Sequence, residues 1–192
     1  NTAVAIPAAY VIARCRFRGQ YALLFLVLST QMIPPALIVV PLYKMFYSLR
    51  LIDNFGALVL ADTVLTLPLS TWVMSGFFEK VPKDVIEAAR IDGCSSYGVF
   101  WKIVVPIVRS AILTIALLTF FDVWNEFMYA LTFISSRDKW LGTVGLSSFV
   151  GQFVISWRLM LAHALFFSLP PMILYLIFRR RIVEGIVSGF GK

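Results

Sequence analysis

Long apolar runs decide which folds are open to this chain. Four runs are long enough to cross a membrane: Tyr21 to Tyr47, Ala57 to Phe78, Val105 to Phe133 and Leu159 to Phe178. A helix needs about 20 residues to cross the hydrocarbon layer. Because lipid offers the backbone no hydrogen-bond partners, each run is predicted to be helical. The predicted fold class is therefore all-α, a polytopic transmembrane helical bundle.

The composition agrees with a membrane protein. Of the 192 residues, 60% are hydrophobic and 14% are charged, and the mean hydropathy is +0.87, which lies outside the range of ordinary soluble domains. The net charge of +7 does not indicate nucleic acid, because the basic residues are scattered beside apolar runs and form no basic stripe with interleaved aromatics.

The first apolar stretch, Thr2 to Ala13, is too short to cross a membrane alone. Arginines follow this stretch rather than precede it, which is the reverse of a secretory signal. We therefore expect the tail of a cut helix, with five spans in this chain and the first one partial. Prolines within the runs predict bent helices whose freed carbonyls need other donors; they are Pro34, Pro35, Pro41, Pro68, Pro170 and Pro171.

The basic residues predict the orientation. Twelve lie in three segments that the runs place on one side, and five lie on the other. The larger group is Arg14, Arg16, Arg18, Lys80, Lys83, Arg90, Lys102, Arg109, Arg179, Arg180, Arg181 and Lys192; the smaller group is Lys44, Arg50, Arg137, Lys139 and Arg158. Under the positive-inside rule the first side is cytoplasmic. Cys15 and Cys94 then face a reducing compartment, and their spacing predicts neither a disulfide framework nor a metal site.

One polar segment on the cytoplasmic side, KVPKDVIEAARIDGCSSYGVFWKIVVP from Lys80, interrupts the apolar runs. Pro82 suits the first turn of a helix, and Val85, Ile86 and Ala89 mark an apolar face. Gly93 suits a left-handed C-cap, and Ser95 or Ser96 can cap the next helix. The pattern predicts a short helix, a sharp turn and a return to the membrane. An amphipathic helix lying on lipid headgroups has the same periodicity.

The spacing of Glu87, Ala88, Ala89, Gly93, Ile103 and Pro106 resembles the EAA loop of ABC importer permeases. Val105 replaces the usual leucine, and Arg109-Ser110 stands where relatives often have a second proline. Further segments are similar to carbohydrate-type permeases that resemble the smaller membrane subunit of the maltose importer. They are MIPPALIVVPLYKMFYSLRLID, WVMSGFFEKVPKDVIEAARIDG, WNEFMYAL and RRRIVEGIVSGFGK, so the resemblance covers nearly the whole chain.

This resemblance implies a single permease domain over residues 1–192, truncated at its N-terminus, with a coupling loop at 80–104 and six helices in the intact subunit. The chain would bind no cofactor, because ATP and Mg²⁺ belong to two partner ABC ATPases. The coupling residues would be Glu87, Ala88, Ala89, Asp92 and Gly93, with a C-terminal ATPase contact at Gly185, Gly189 and Gly191. Other implied partners are a homologous second permease, an extracytoplasmic solute-binding protein and the lipid bilayer of a bacterial or archaeal cytoplasmic membrane.

Polar side chains within the runs are candidates for the translocation path, because ionisable groups in a span usually face protein or water. Asp122, Asn125 and Glu126 are predicted to share one helix face. Together with Trp124 and Gln31 they are the path candidates, although interhelical packing would explain them equally well. For Gln31 and Asp62 we favour bonds to proline-freed carbonyls. His163 is predicted to be a packed residue.

The function that these features imply is import of a sugar, oligosaccharide or polyol by alternating access, driven by partner ATPases. The alternatives are an ABC permease for a glycerophosphodiester or amino acid, and a membrane assembly or scaffold protein. No phosphate-binding loop or catalytic grouping occurs in the sequence, so the chain is not predicted to be an enzyme.

Overall fold

The chain is built from helices. A computed structural model describes residues 1–15, 18–151 and 156–190, and these contain no β-strand. The α-helices are α1 Thr2–Arg14, α2 Gln20–Ser29, α3 Pro35–Ser48, α4 Phe55–Glu79, α5 Lys83–Ile91, α6 Ser96–Val99, α7 Val105–Ile107, α8 Arg109–Trp124, α9 Met128–Phe133, α10 Gly142–Ser147 and α11 Trp157–Phe190. Short 3₁₀ turns cover Thr30–Met32 and Arg137–Lys139, and Phe100–Val104 is π-helical. The all-α fold class is confirmed.

Two helices are each long and apolar enough to cross a membrane: α4, with 25 residues, and residues Trp157–Arg179 of α11. They confirm the predicted runs 57–78 and 159–178. The other two predicted runs are each divided, and counting each bent pair of helices as one span brings the total to four in the described residues. The shorter apolar helix is α1, with 13 residues.

The run predicted from Tyr21 to Tyr47 is not one helix. Pro34 has φ −56° and ψ 131°, outside the helical region, and Pro35 begins α3. A residue before proline is pushed away from the helical conformation, whereas proline itself suits the first helical position. The tandem prolines therefore separate α2 from α3.

The run predicted from Val105 to Phe133 is also divided. Ser96–Ile107 and α8 meet at a bend of 75°, next to Val108. The far end of α8 is Trp124, where the Asn125 Nδ2 atom donates to the Phe121 carbonyl at 2.7 Å. The Asn125 N–H donates to the same carbonyl at 3.2 Å, and the Glu126 N–H donates to the Val123 carbonyl three residues before it at 3.1 Å. The α-helical bond pattern therefore ends here, and α9 starts as a separate helix.

The described residues form two compact units. The first comprises the described parts of 1–30, 66–119 and 178–190, and the second those of 31–65 and 120–177. The core of the first unit joins α1, the end of α4, α5 and the segment after it. Tyr10, Phe78 and Phe100 form its aromatic centre, with the Tyr10 ring centroid 5.5 Å from that of Phe78 and 4.8 Å from that of Phe100.

The core of the second unit joins α3, the start of α4, α9 and α10. Phe133 is fully buried there, with its ring centroid 5.3 Å from that of Phe46 and 5.4 Å from that of Tyr129. Ala57 and Ala61 are also fully buried, so the start of α4 packs through small side chains.

Candidate functional site

Helix α5 is the polar helix that the Lys80 segment predicted. Pro82 is its N-cap, one residue before the position expected from sequence, and Asp84 lies in the first turn, where its charge complements the helix dipole. Ile86 and Ala89 are each 7% exposed and pack into the core of the first unit. Val85 is 39% exposed and does not share this buried face.

The opposite face of α5 is open. Glu87, Ala88, Arg90 and Asp92 are exposed, and Ile91 is 86% exposed. Sequence reasoning missed Ile91, although a large apolar residue at the end of an otherwise polar face is a recognisable signal. Ala89 was predicted to lie on the apolar face of the helix and, from the resemblance, to belong to the coupling residues. Its burial confirms the apolar face, and its part in coupling stays a prediction.

A complete Schellman motif ends α5. The Gly93 N–H donates to the Arg90 carbonyl at 3.0 Å, and the Cys94 N–H donates to the Ala89 carbonyl at 3.0 Å. Gly93 has φ +84°, a left-handed conformation that confirms the predicted C-cap. Ser95 then accepts from the Gly98 N–H at 3.1 Å and caps α6, as predicted. The turn therefore has a defined geometry.

Arg14 connects α1 to the turn between α4 and α5. Its Nη2 atom donates to the Phe78 carbonyl at 2.5 Å and also to the Val81 carbonyl. A guanidinium is well suited to carbonyls left unpaired at a helix C-terminus. In the sequence, Arg14 was counted only among the basic residues that predict the orientation. The available signal for this contact was an arginine directly after an apolar run.

A groove of about 350 Å³ lies beside α5 in the first unit. Side chains of both charge signs line it, together with apolar and amide groups. They are Tyr10, Ala13, Arg14, Gln20, Tyr21, Glu79, Lys83, Ile86, Glu87 and Arg90. Glu87 therefore belongs to a concave charged surface and not to an isolated polar patch.

Trp124 contacts α11 through its aromatic ring and through its indole N–H group. Its ring stacks on Phe167, with centroids 5.2 Å apart, and its Nε1–H donates to the Phe167 carbonyl at 3.2 Å. Pro171 has no N–H to offer the carbonyl four residues before it, which is that of Phe167. The indole thus supplies the donor that the proline removes, as the predicted satisfaction of freed carbonyls requires.

The predicted common face of Asp122, Asn125 and Glu126 is wrong. Helix α8 ends at Trp124, and the Glu126 carboxylate instead accepts from the backbone N–H groups of Tyr129 at 2.6 Å and Ala130 at 2.8 Å. Glu126 therefore caps α9, which it precedes. Asp122 and Asn125 are exposed.

The remaining polar candidates, Gln31, Asp62 and His163, all lie in the second unit. The Gln31 Nε2 atom donates to the Leu65 carbonyl at 2.8 Å. The carbonyl that Pro68 frees is that of Val64, one residue earlier, so this bond is not the one predicted. Asp62 is buried and lies within α4. His163 is partly buried, and its ring packs edge-on to Phe149 with centroids 5.6 Å apart.

The C-terminal candidates fall at the edge of the described chain. The backbone of Gly185 and Gly189 belongs to α11, whereas Gly191 lies outside the described residues. Their ATPase contact stays a prediction. The described residues contain no group of three or more His, Cys, Asp or Glu side chains that could hold a metal ion.

Comparison with known proteins gives a consistent result. A family model described as "Binding-protein-dependent transport system inner membrane component" matches residues 5–187. The sulfoquinovosyl glycerol transport system permease protein SmoH of Agrobacterium fabrum is 34% identical over 186 residues, covering 97% of this chain and 65% of that protein. The trehalose/maltose transport system permease protein MalG of Thermococcus litoralis is 34% identical over 183 residues, covering 95% and 66%. The chain thus spans slightly less than two thirds of these relatives.

The fold also resembles a solved structure. A bacterial ABC transporter involved in the import of the acidic polysaccharide alginate matches with a TM-score of 0.65 and 23% identity, covering 97% of this chain and 67% of that one. At that identity the likeness concerns the fold alone. It agrees with a helical membrane bundle.

Proposed function

The chain belongs to the family of binding-protein-dependent transport system inner membrane components, and on that premise we propose that it is the permease subunit of an ATP-binding-cassette importer. The family match confirms the resemblance identified from the spacing of Glu87, Gly93 and Pro106. We propose a sugar, oligosaccharide or polyol as the solute. The names of relatives that transport trehalose, maltose and sulfoquinovosyl glycerol support this substrate class.

The proposed complex contains a second permease, two ABC ATPases that bind ATP and Mg²⁺, and an extracytoplasmic solute-binding protein. The family is a membrane component of transport systems, which supports placing hydrolysis on the partner ATPases. The proposed location is the cytoplasmic membrane of a bacterium or archaeon, with α5 on the cytoplasmic side, where the basic residues concentrate.

The observation that carries the proposal is the two-sided character of α5. One side is anchored in the core by Ile86 and Ala89, and the other presents Glu87 and Ile91 to the surroundings. A helix held only by headgroups would insert its apolar residues into lipid. Here the buried residues pack on this chain, so a force applied to the open face passes to the core.

The force would reach the membrane helices through the first unit. Ile86 and Ala89 share a cluster with Phe78 of α4 and Ala111 of α8, and Arg14 ties α1 to the end of α4. Close-packed side chains transmit displacement because interiors have low compressibility. ATP-driven closure of the ATPases would thus rock α1, α4 and α8 together, which is the proposed basis of alternating access.

For the translocation path we propose Asp122 and Asn125, whose side chains are exposed in the chain by itself. Gln31, Trp124, Asn125 and Glu126 each make a hydrogen bond within this chain, which supports a structural role beside any contact with solute. Asn125→Ala should reduce uptake while leaving assembly intact, and normal uptake would remove Asn125 from the path.

The coupling proposal is tested by co-purification. The Glu87→Ala variant should lose ATPase subunits and uptake in proteoliposomes, because Glu87 lies on the open face and in the charged groove. Asp84→Ala is the matched control, since Asp84 is an exposed acid on the same helix but does not line the groove. Retention of the ATPases by Glu87→Ala, or equal loss in both variants, would contradict the assigned contact.

A further inference from the structure

Asp53 forms a dense set of contacts between two loops of the second unit. Its Oδ1 atom accepts from the Ser135 N–H at 3.0 Å and the Ser136 N–H at 2.8 Å. Its Oδ2 atom accepts from the Ser136 Oγ at 2.6 Å and from the Lys139 Nζ at 2.7 Å. The Asp53 side chain therefore contacts both ends of the segment from Ser135 to Lys139.

The backbone of Asp53 takes part as well. Its N–H donates to the Phe133 carbonyl at 2.8 Å, and its carbonyl accepts from Lys139 Nζ at 2.9 Å. Asp53 has φ +61°, a left-handed conformation that costs non-glycine residues energy. Such a conformation persists when surrounding contacts over-determine it. We call Asp53, Ser135, Ser136 and Lys139 the outer latch.

Next to the outer latch, Arg137 and Trp140 form a cationic and aromatic surface. Arg137 is exposed, and its guanidinium carbon lies 5.5 Å from the centroid of the Trp140 ring. Trp140 is partly buried and packs against the core that contains Phe133. The Arg137 guanidinium therefore lies against the anchored ring of Trp140, next to the outer latch.

The charge of this surface is positive. Loop segments 49–54 and 134–141 contain Arg50, Asp53, Arg137, Asp138 and Lys139. The Asp53–Lys139 ion pair is internally neutral, which leaves two arginines and one aspartate. Both arginines are exposed, so the surface complements an acidic partner.

We propose that Asp53 is a positioning residue that fixes Arg137 and Trp140 as a preformed docking surface for an acidic face of the extracytoplasmic solute-binding protein. This inference rests on the proposed function, because the loops face outward only if α5 faces the cytoplasm. Preorganisation raises affinity by removing the entropic cost of ordering the loop during docking.

The test uses the intact importer in nanodiscs with its purified solute-binding protein. ATPase stimulation is measured against the concentration of that protein, which separates the half-saturating concentration from the maximal rate. Asp53→Gly tolerates the left-handed backbone and removes every contact made by the Asp53 side chain, while the bond from Lys139 to the carbonyl of residue 53 can remain. Asp53→Asn keeps an oxygen for the two serine N–H groups and loses the ion pair. Arg137→Gln removes a proposed contact and leaves the latch in place.

Asp53→Gly should raise the half-saturating concentration about tenfold with little change in maximal rate, and Asp53→Asn should raise it less. Arg137→Gln should raise it about threefold and weaken its dependence on salt. Asp138→Asn, which removes the neighbouring acid, should lower it slightly. The half-saturating concentration should thus rise in Arg137→Gln and fall in Asp138→Asn, although both residues lie in one loop. A general loss of folding would not produce opposite changes.

Unchanged half-saturation in both Asp53→Gly and Arg137→Gln would overturn the docking inference while leaving the importer intact. Loss of the second permease from either variant would also overturn the docking inference, because the surface would then be a contact between the two permeases. If wild-type importer retains no ATPase subunits, or gains no activity from the binding protein, the proposed function fails and the inference falls with it.

Discussion

Gly93 and Gly76 both have open space where a Cβ atom would lie, yet their backbones differ. Gly93 has φ +84° and closes the Schellman motif, whereas Gly76 lies inside α4. An added methyl group meets no neighbour within 4 Å at either position. Any difference between their alanine variants therefore reports backbone conformation and not packing.

Gly93→Ala should destabilise the first unit by about 1 kcal/mol, because alanine is strained in the left-handed region. Gly93→Asn should cost less, since asparagine is the second most common residue at this cap position. Gly76→Ala should be neutral or stabilising, because alanine favours helix interiors. Thermal unfolding of the purified complex measures all three, and an equal loss for Gly76→Ala and Gly93→Ala would refute the conformational explanation.

Substitutions at Trp124 distinguish the contribution of ring stacking to stability from that of hydrogen bonding. Trp124→Phe retains a ring against Phe167 but removes the donor to the carbonyl that Pro171 leaves free. We expect a loss of about 1 kcal/mol, the usual net value of one hydrogen bond. Pro171→Ala restores a backbone N–H at that position. If the donor is what matters, Trp124→Phe should cost less in the Pro171→Ala background, as unfolding of the double variant would reveal.

At the scale of elements, Arg14 joins the end of α1 to the turn between α4 and α5. It donates to the Phe78 and Val81 carbonyls, immediately before α5 begins at Lys83. Arg14→Met retains much of the apolar stem but leaves both carbonyls without this donor. Arg18 lies nearby in sequence, is exposed and provides a matched control.

If Arg14 carries motion from α5 to α1, Arg14→Met should lower transport several-fold more than it lowers ATP hydrolysis. The ratio of solute imported to ATP hydrolysed in proteoliposomes is the measurement. Arg18→Met should leave that ratio unchanged. A parallel fall in both activities of Arg14→Met would indicate lost stability and no specific role in coupling.

The outer latch has a predictable dependence on pH. The hydrogen bond from Lys139, followed by those from Ser136, lowers the pKa of Asp53, and the hydrogen bond to Asp53 raises the pKa of Lys139. A lowered aspartate pKa gives stability that is complete above the unfolded pKa of about 3.9 and is lost as pH falls through the folded value. A raised lysine pKa gives stability that is complete below about 10.4 and is lost as pH rises through the folded value.

The stability difference between wild type and Asp53→Asn should therefore stay constant from about pH 5 to 9 and shrink in strong acid or strong base. Thermal unfolding at a series of pH values gives this difference. A difference that changed steadily across the neutral range would show that another group dominates the latch.

At the scale of the whole molecule, α11 requires an apolar environment that this chain does not supply. Within Trp157–Arg179 the most apolar 18-residue window has a mean hydropathy of 1.9, and none of its residues is fully buried by the rest of the described chain. Leu161 and Leu165 are 62% and 63% exposed. Exposed surface of this kind fits lipid or a partner helix.

Leu165→Lys should reduce the membrane-integrated yield strongly, since a lysine near the bilayer centre costs at least about 2.5 kcal/mol. Trp157→Lys, at the end of the same helix, should be tolerated because lysine near an interface extends to water. Alkaline extraction of membranes measures integration. Normal integration of Leu165→Lys would place that side of α11 against water or a polar partner.

Sequence periodicity predicted the local turns well because their causes are local. The left-handed cap at Gly93 and the Ser95 cap follow from residues within one turn of the chain. Helix continuity across Asn125 was predicted wrongly, since apolar composition does not record that the backbone changes at Glu126 to a bond with the Val123 carbonyl, three residues before it. Glu126 likewise became a cap for α9 instead of sharing a face with Asp122.

The sequence by itself determined the helical class, the apolar runs and the polar helix α5 with its cap at Gly93, because hydropathy and turn chemistry act over short distances. Only the tertiary structure decided that Arg14 bonds the turn before α5 and that Asp53 joins two loops 82 residues apart in sequence. These contacts depend on which distant segments meet. No residue pattern within a single helix contains that information.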